Sequence, residues 1–397
     1  MDRVQVPTPF QRSSLTKHCR QFWRPLVVAA AAVFSTPAPA CDADAVAALQ
    51  QQLGSLGPAF TADVAADLRH RALALVEGDA DASCAAEARQ ILTGLRAAED
   101  RAGGHSVDAG RTIYEGLSRY GEGFDFAPGD VVLIRNNEIT SSAVSQVGES
   151  SSAFSHAAIV GFDPQWKTLE VVESLVNSGV KATPLMDWVE QPFVRMAVFR
   201  HHDPALAKQA AIAAFRDASA RQHEARDYDF SLSLGDDGRQ LYCTEVVTHA
   251  YARAAPEATR VPAHLSTVGS LLETFPLAEL GAREREIFLP DDIELDARFE
   301  RVIELRVPSL LPKVARMDGI LRGLFDALRG PQRAQTLAQI EAEIPAGPIA
   351  LPYLLQGSFA AYRQMPEAAR PGVAGLARLV AHQLEAEAAS LRASAGS

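Results

Sequence analysis

Cys243 is the side chain whose chemistry most needs an account. It lies in Leu241-Tyr242-Cys243-Thr244-Glu245, directly ahead of a stretch from Thr244 to Ala254 that reads as a helix. A thiol at a helix N-terminus faces unsatisfied N–H groups and the positive end of the macrodipole, both of which favour thiolate. The same N–H groups can hold the oxyanion of a tetrahedral intermediate. Position alone leaves two readings open: an activated nucleophile, or a small inert thiol packed beneath the helix.

A nucleophilic thiol needs a base. His249 is nearest in sequence, but six positions along a helix turn it roughly 240° away and about 9 Å up the axis. It reads instead as an i,i+4 partner of Glu245. The two as metal ligands lack a third, so no metal or cofactor is expected. His156 is the stronger candidate. It opens an apolar strand, Ala157-Ala158-Ile159-Val160, where an imidazole is costly unless paired, and its ordinary pKa suits a base near neutral pH. Glu173 closes the next apolar run, Leu169-Glu170-Val171-Val172-Glu173. Adjacent antiparallel strands bring the end of one beside the start of the other, so Glu173 can orient the imidazole as the third member of a triad.

The elements that would position these residues are short. Phe126-Ala127-Pro128-Gly129-Asp130 makes a turn into a buried strand, Val131–Ile134. Thr140 to Ser152 is Ser-rich and reads as a loop, with Ser150–Ser152 taken as mobile. Strands follow at His156–Val160, Leu169–Glu173 and Val194–Phe199, which together suggest an antiparallel sheet or small barrel. Pro204 opens a helix reaching Arg221. A further strand is expected at Arg301–Leu305. Residues 41–115 read as a helical hairpin and 306–397 as a Pro-broken helical region.

The runs Gly129-Asp130-Val131-Val132, Ser155-His156-Ala157-Ala158-Ile159-Val160, Val172-Glu173-Ser174 and Leu241-Tyr242-Cys243-Thr244-Glu245 resemble the YiiX/YebB-like hydrolases of the NlpC-type papain-like superfamily. The resemblance covers roughly residues 115–305. It implies an α+β, circularly permuted papain-like fold, in which the sheet bearing His precedes the helix bearing Cys. It implies Cys243 as nucleophile, His156 as base, Glu173 as orienter and Tyr242 as the aromatic beside the nucleophile. Tyr228-Asp229-Phe230 and Gly129-Asp130 also match, and both read as structural.

Composition and the N-terminus bound the rest. The chain has 397 residues and a net charge of −11, with no Lys/Arg run, so nucleic acid is not an expected partner. Lys17, Arg20 and Arg24 precede an apolar run, Pro25 to Ser35, and Ala38-Pro39-Ala40 supplies small residues for cleavage. Residues 1–40 therefore read as an export signal, followed by a hydrolase domain over 116–305 and a periplasmic location. Cys41 next to Ala40 leaves a lipoprotein alternative, with membrane association through that cysteine. Otherwise Cys41 and Cys84, each ahead of a helical stretch, are expected to pair as a disulfide. The expected activity is hydrolysis of a peptide, cell-wall or lipid amide through an acyl-enzyme. The alternatives are a lipid acyl hydrolase or acyltransferase on the same fold, and a non-catalytic envelope binding protein. A serine hydrolase is disfavoured, because no Gly-x-Ser-x-Gly elbow exists.

Overall fold

The computed structural model describes residues 41–56, 61–76, 82–101, 113–115, 124–175, 178–191, 193–221, 228–229, 232–234, 240–256, 261–268, 285–307, 309–329 and 331. The export segment read at residues 1–40 lies outside them, as does most of the C-terminal region.

The strands are β1 (Ile113–Glu115), β2 (Val131–Arg135), β3 (His156–Asp163), β4 (Thr168–Leu175), β5 (Gly179–Pro184), β6 (Arg195–His201), β7 (Ser266–Thr267), β8 (Glu286–Ile287) and β9 (Phe299–Arg306). The helices are α1 (Ala43–Gly54), α2 (Ala62–Ala74), α3 (Ala82–Arg101), α4 (Ile139–Val144), α5 (Leu185–Val189), α6 (Pro204–Arg221), α7 (Glu245–Ala254) and α8 (Leu311–Arg329), with a 3-10 turn at Pro290–Leu295. Among the described residues seven strands form one sheet, ordered β1-β9-β6-β2-β3-β4-β5, while β7 and β8 form a separate ribbon. Every neighbouring pair in the large sheet is antiparallel except β1 with β9. The α+β reading holds. Among the described residues the sheet is open, with edges at β1 and β5, rather than closed into a barrel.

The continuous apolar runs follow from burial on both faces. Val131, Leu133, Ala157, Ile159 and Val172 point into a core shared with α6 and α7. Their neighbours Val132, Ile134, Ala158, Val160 and Val171 point into a second core capped by Trp188 and Val189 of α5. Ala210, Ala214 and Ala218 give α6 a row of small residues against the first core, so the helix can lie close to the sheet. Gly129 is required by that closeness: it has φ +87, and a Cβ there would stand 2.3 Å from the Ala207 carbonyl oxygen. Asp130 accepts the Ala127 N–H at 2.8 Å and both Arg200 donors at 2.8 Å each, which makes Gly129-Asp130 an architectural turn.

Three sequence expectations change. The N-terminal region is three helices rather than a hairpin, because a separate apolar face, Val46 and Leu49, closes α1 onto α2 and α3. The Cys41–Cys84 bridge is not formed. Cys84 instead fills a buried core position in the first turn of α3, with Cys41 half-buried against the same cluster. The Ser-rich segment is built rather than mobile. It contains α4, and Arg135 ties it to α8 through the Ser141 carbonyl, the Ser142 hydroxyl and Asp318.

Candidate active site

β3 and β4 hold the first two members of the site. In the antiparallel register Ile159 faces Val172, so Glu173 stands diagonal to His156 on the same side of the sheet, within reach of a long side chain. His156 Nε2 lies 2.9 Å from Glu173 Oε2. The other oxygen of the carboxylate accepts the Trp188 indole N–H at 3.1 Å, and Lys181 Nζ of the neighbouring strand lies 3.8 Å from it. Glu173 is thus fixed from three directions while 2% exposed.

The next residue does the opposite job. Successive strand side chains point to opposite faces, and Ser174 donates its hydroxyl to the Leu241 carbonyl at 2.5 Å. That anchors the segment leading into Cys243 to the strand that carries Glu173. Thr244, on the far side of the cysteine, donates to the Phe288 carbonyl at 2.7 Å. Cys243 itself lies just ahead of the N-terminus of α7, 7% exposed. The imidazole and the thiol lie close enough for each to shift the other's titration.

Electrostatics match this geometry. Burial alone would push the Cys243 thiol up, but the hydrogen bond from His156, its positive charge, the Tyr228 hydroxyl and the Ala157 N–H together bring it below its ordinary value. Burial alone would lower His156, but its hydrogen bonds to Cys243 and Glu173 and their charges hold it at about 10. Burial also opposes ionisation of Glu173, and His156, Lys181 and Trp188 outweigh it, keeping the carboxylate below its ordinary range. These directions, a thiol brought down and an imidazole held up, are those that favour a thiolate–imidazolium pair.

The structure brings Cys243, His156 and Glu173 together. Tyr242, next to Cys243 in the chain, is packed in the core and 2% exposed. Its backbone N–H donates to Glu245 at 3.4 Å, so Glu245 turns back on the helix start instead of pairing with His249. His249 pairs with Asp217 of α6 at 2.9 Å, which removes the basis for a metal pair. Sequence reasoning gave no role to Trp188, Lys181 or Ser174, and took Tyr228 as structural. Tyr228 in fact contacts Cys243: its hydroxyl accepts the Cys243 N–H at 3.4 Å and helps bring the thiol below its ordinary value. The only sequence trace of this was the Tyr228-Asp229-Phe230 segment upstream of Cys243. Tyr228→Phe removes the hydroxyl that helps hold the thiol below its ordinary value. Labelling of Cys243 by iodoacetamide at pH 6 is expected to slow on the order of tenfold, one pKa unit in the thiolate population. An unchanged rate would return Tyr228 to a structural role.

Residues 125–295 match the sequence model of a family described as permuted papain-like amidase enzymes, YaeF/YiiX, C92 family. No curated protein and no solved structure matches the chain.

Proposed function

We propose that this chain, a cysteine peptidase/amidase-type hydrolase carrying a permuted papain-like amidase domain of the YaeF/YiiX, C92 family over residues 125–295, cleaves an amide bond of a cell-envelope peptide or lipid through a Cys243–His156–Glu173 triad after export. The observation that carries the reading is His156 Nε2 at 2.9 Å from the buried Glu173 carboxylate, with the Cys243 thiol close enough for thiol and imidazole to shift each other's titration. An orienting carboxylate, a charged imidazole and a thiolate at a helix start are what acyl transfer from an amide requires.

In this mechanism the thiolate attacks the amide carbonyl carbon. The oxyanion that develops is held by the N–H groups at the start of α7. As the tetrahedral intermediate collapses, the C–N bond breaks and the His156 imidazolium gives a ring proton to the departing amine. The neutral imidazole then takes a proton from water, whose oxygen attacks the thioester. Collapse releases the carboxylic acid and restores the thiolate–imidazolium pair. Glu173 keeps its charge throughout and stabilises the imidazolium. Export rests on the pattern of residues 1–40, with its basic, apolar and small-residue parts.

The test incubates the full-length protein, processed by its own host, with cell-wall stem peptides, N-acylated amines and acyl-ester lipids. Amine release and mass adducts on Cys243 are both followed. Release from an amide, with a transient acyl adduct on Cys243, is the expected result. Release from esters alone would move the protein to lipid acyl hydrolysis. No adduct on Cys243 with any substrate would contradict the triad.

A further inference from the structure

The helix α3 lies outside the matched region 125–295, yet its buried side chains reach the segments that carry both halves of the catalytic pair. Arg89 Nε donates to Asp292 at 2.8 Å, and Arg96 Nη2 donates to Glu294 at 2.8 Å, both within the 3-10 turn. That turn holds the loop ahead of His156. Asp291 accepts the Ser152 hydroxyl at 2.6 Å and the Ala153 N–H at 3.0 Å. The same segment holds the nucleophile side, because the Phe288 carbonyl accepts the Thr244 hydroxyl.

The helix also grips the histidine loop directly. Thr93 donates to the Ser151 carbonyl at 2.9 Å, Arg89 pairs with Glu149, and the Arg96 guanidinium lies 5.1 Å above the Phe154 ring. Phe154 is fully buried two residues before His156. Residues 288–294 therefore act as a bracket between the start of α7 and the start of β3, and α3 locks it from behind.

We propose that Asp291 is a positioning residue that sets the spacing of Cys243 and His156, and that α3 is an integral part of the catalytic unit, working through this bracket. The inference rests on the Cys243–His156 reading above. A hydrogen-bonded thiolate–imidazolium pair is sensitive to a displacement of about 1 Å, so loosening the bracket weakens the pair before it unfolds the protein. Asparagine at 291 replaces two charge-assisted acceptors by one neutral acceptor and one donor, and the Ser152 proton turns to the Phe154 carbonyl, also 2.6 Å away, which weakens the link to the loop.

The experiment measures the rate of iodoacetamide labelling of Cys243 against pH in the full chain, in wild type, Asp291→Asn and Thr93→Val, with circular dichroism as the check on folding. Asp291→Asn is expected to stay folded and to raise the pH midpoint of labelling, slowing the reaction at pH 6 by about tenfold. Thr93→Val loses one hydroxyl and no charge, and is expected to shift the same way by about threefold. A folded Asp291→Asn with the wild-type profile overturns the inference. If Asp291→Asn does not fold, the Thr93→Val profile decides, and a wild-type profile there overturns it. A wild-type protein that itself labels like an ordinary thiol would instead remove the catalytic reading on which the inference stands.

Discussion

Cys243→Ala is expected to lower amide turnover by about 10⁴-fold or more, leaving only background hydrolysis. The covalent route is gone, and neither His156 nor Glu173 is placed to attack a carbonyl. The thermal midpoint at pH 7 is expected to stay within about 4 °C of wild type, because the substitution removes a buried charge together with its solvation cost and leaves His156 paired with Glu173. Turnover and thermal melting measured on one preparation check this. A folded variant that keeps its activity contradicts the nucleophile assignment, and one that melts far below wild type favours a structural thiol.

His156→Ala is expected to cost on the order of 10³-fold in turnover, with little change in KM, since the imidazole acts on the thiol and the leaving amine rather than on substrate binding. The pair also sets the pH dependence of stability. Unfolded, His156 titrates near its ordinary 6.5 and Cys243 near 9.0; folded, His156 is held up at about 10 and the thiol is brought down. From about 6.5 to 9 both states carry one proton on the pair, so its contribution is level. Below that window the unfolded chain takes up a second proton and stability falls. Above it the unfolded chain gives up its last proton while the folded pair retains one up to about pH 10, and stability falls again. Melting curves across pH 5 to 10 are expected to show both shoulders in wild type and to lose the acid one in His156→Ala, where no imidazole is left to take up the second proton and the thiol is protonated in both states.

The parts of the site legible in sequence were those with local signatures. Val131–Ile134, His156–Val160 and Leu169–Glu173 are apolar runs bounded by turns, and each lies within an observed strand. Their register puts Glu173 diagonal to His156, as their places at opposite ends of adjacent strands suggested. What escaped were partners supplied at long range. Trp188 lies in a five-residue helix with no periodicity to mark it, and Lys181 lies in an edge strand, Gly179–Pro184, whose Gly, Lys and Pro do not read as β. Tyr228 stands on a segment between elements, where no pattern fixes direction. The Ser-rich stretch read as mobile because polar residues without periodicity look like loop. Its order comes from Arg89, Thr93 and Arg96 of α3 and from Asp318 of α8, residues that sit far away in sequence.

The central claim is that Cys243 and His156 form an activated ion pair, and the rate of iodoacetamide labelling at Cys243 as a function of pH, in wild type beside His156→Ala, tests it most directly. The predicted result is a wild-type midpoint well below the free-thiol value of about 8.5, and a midpoint at or above that value in His156→Ala. Ordinary thiol titration in both proteins would contradict it and leave Cys243 a packed structural residue.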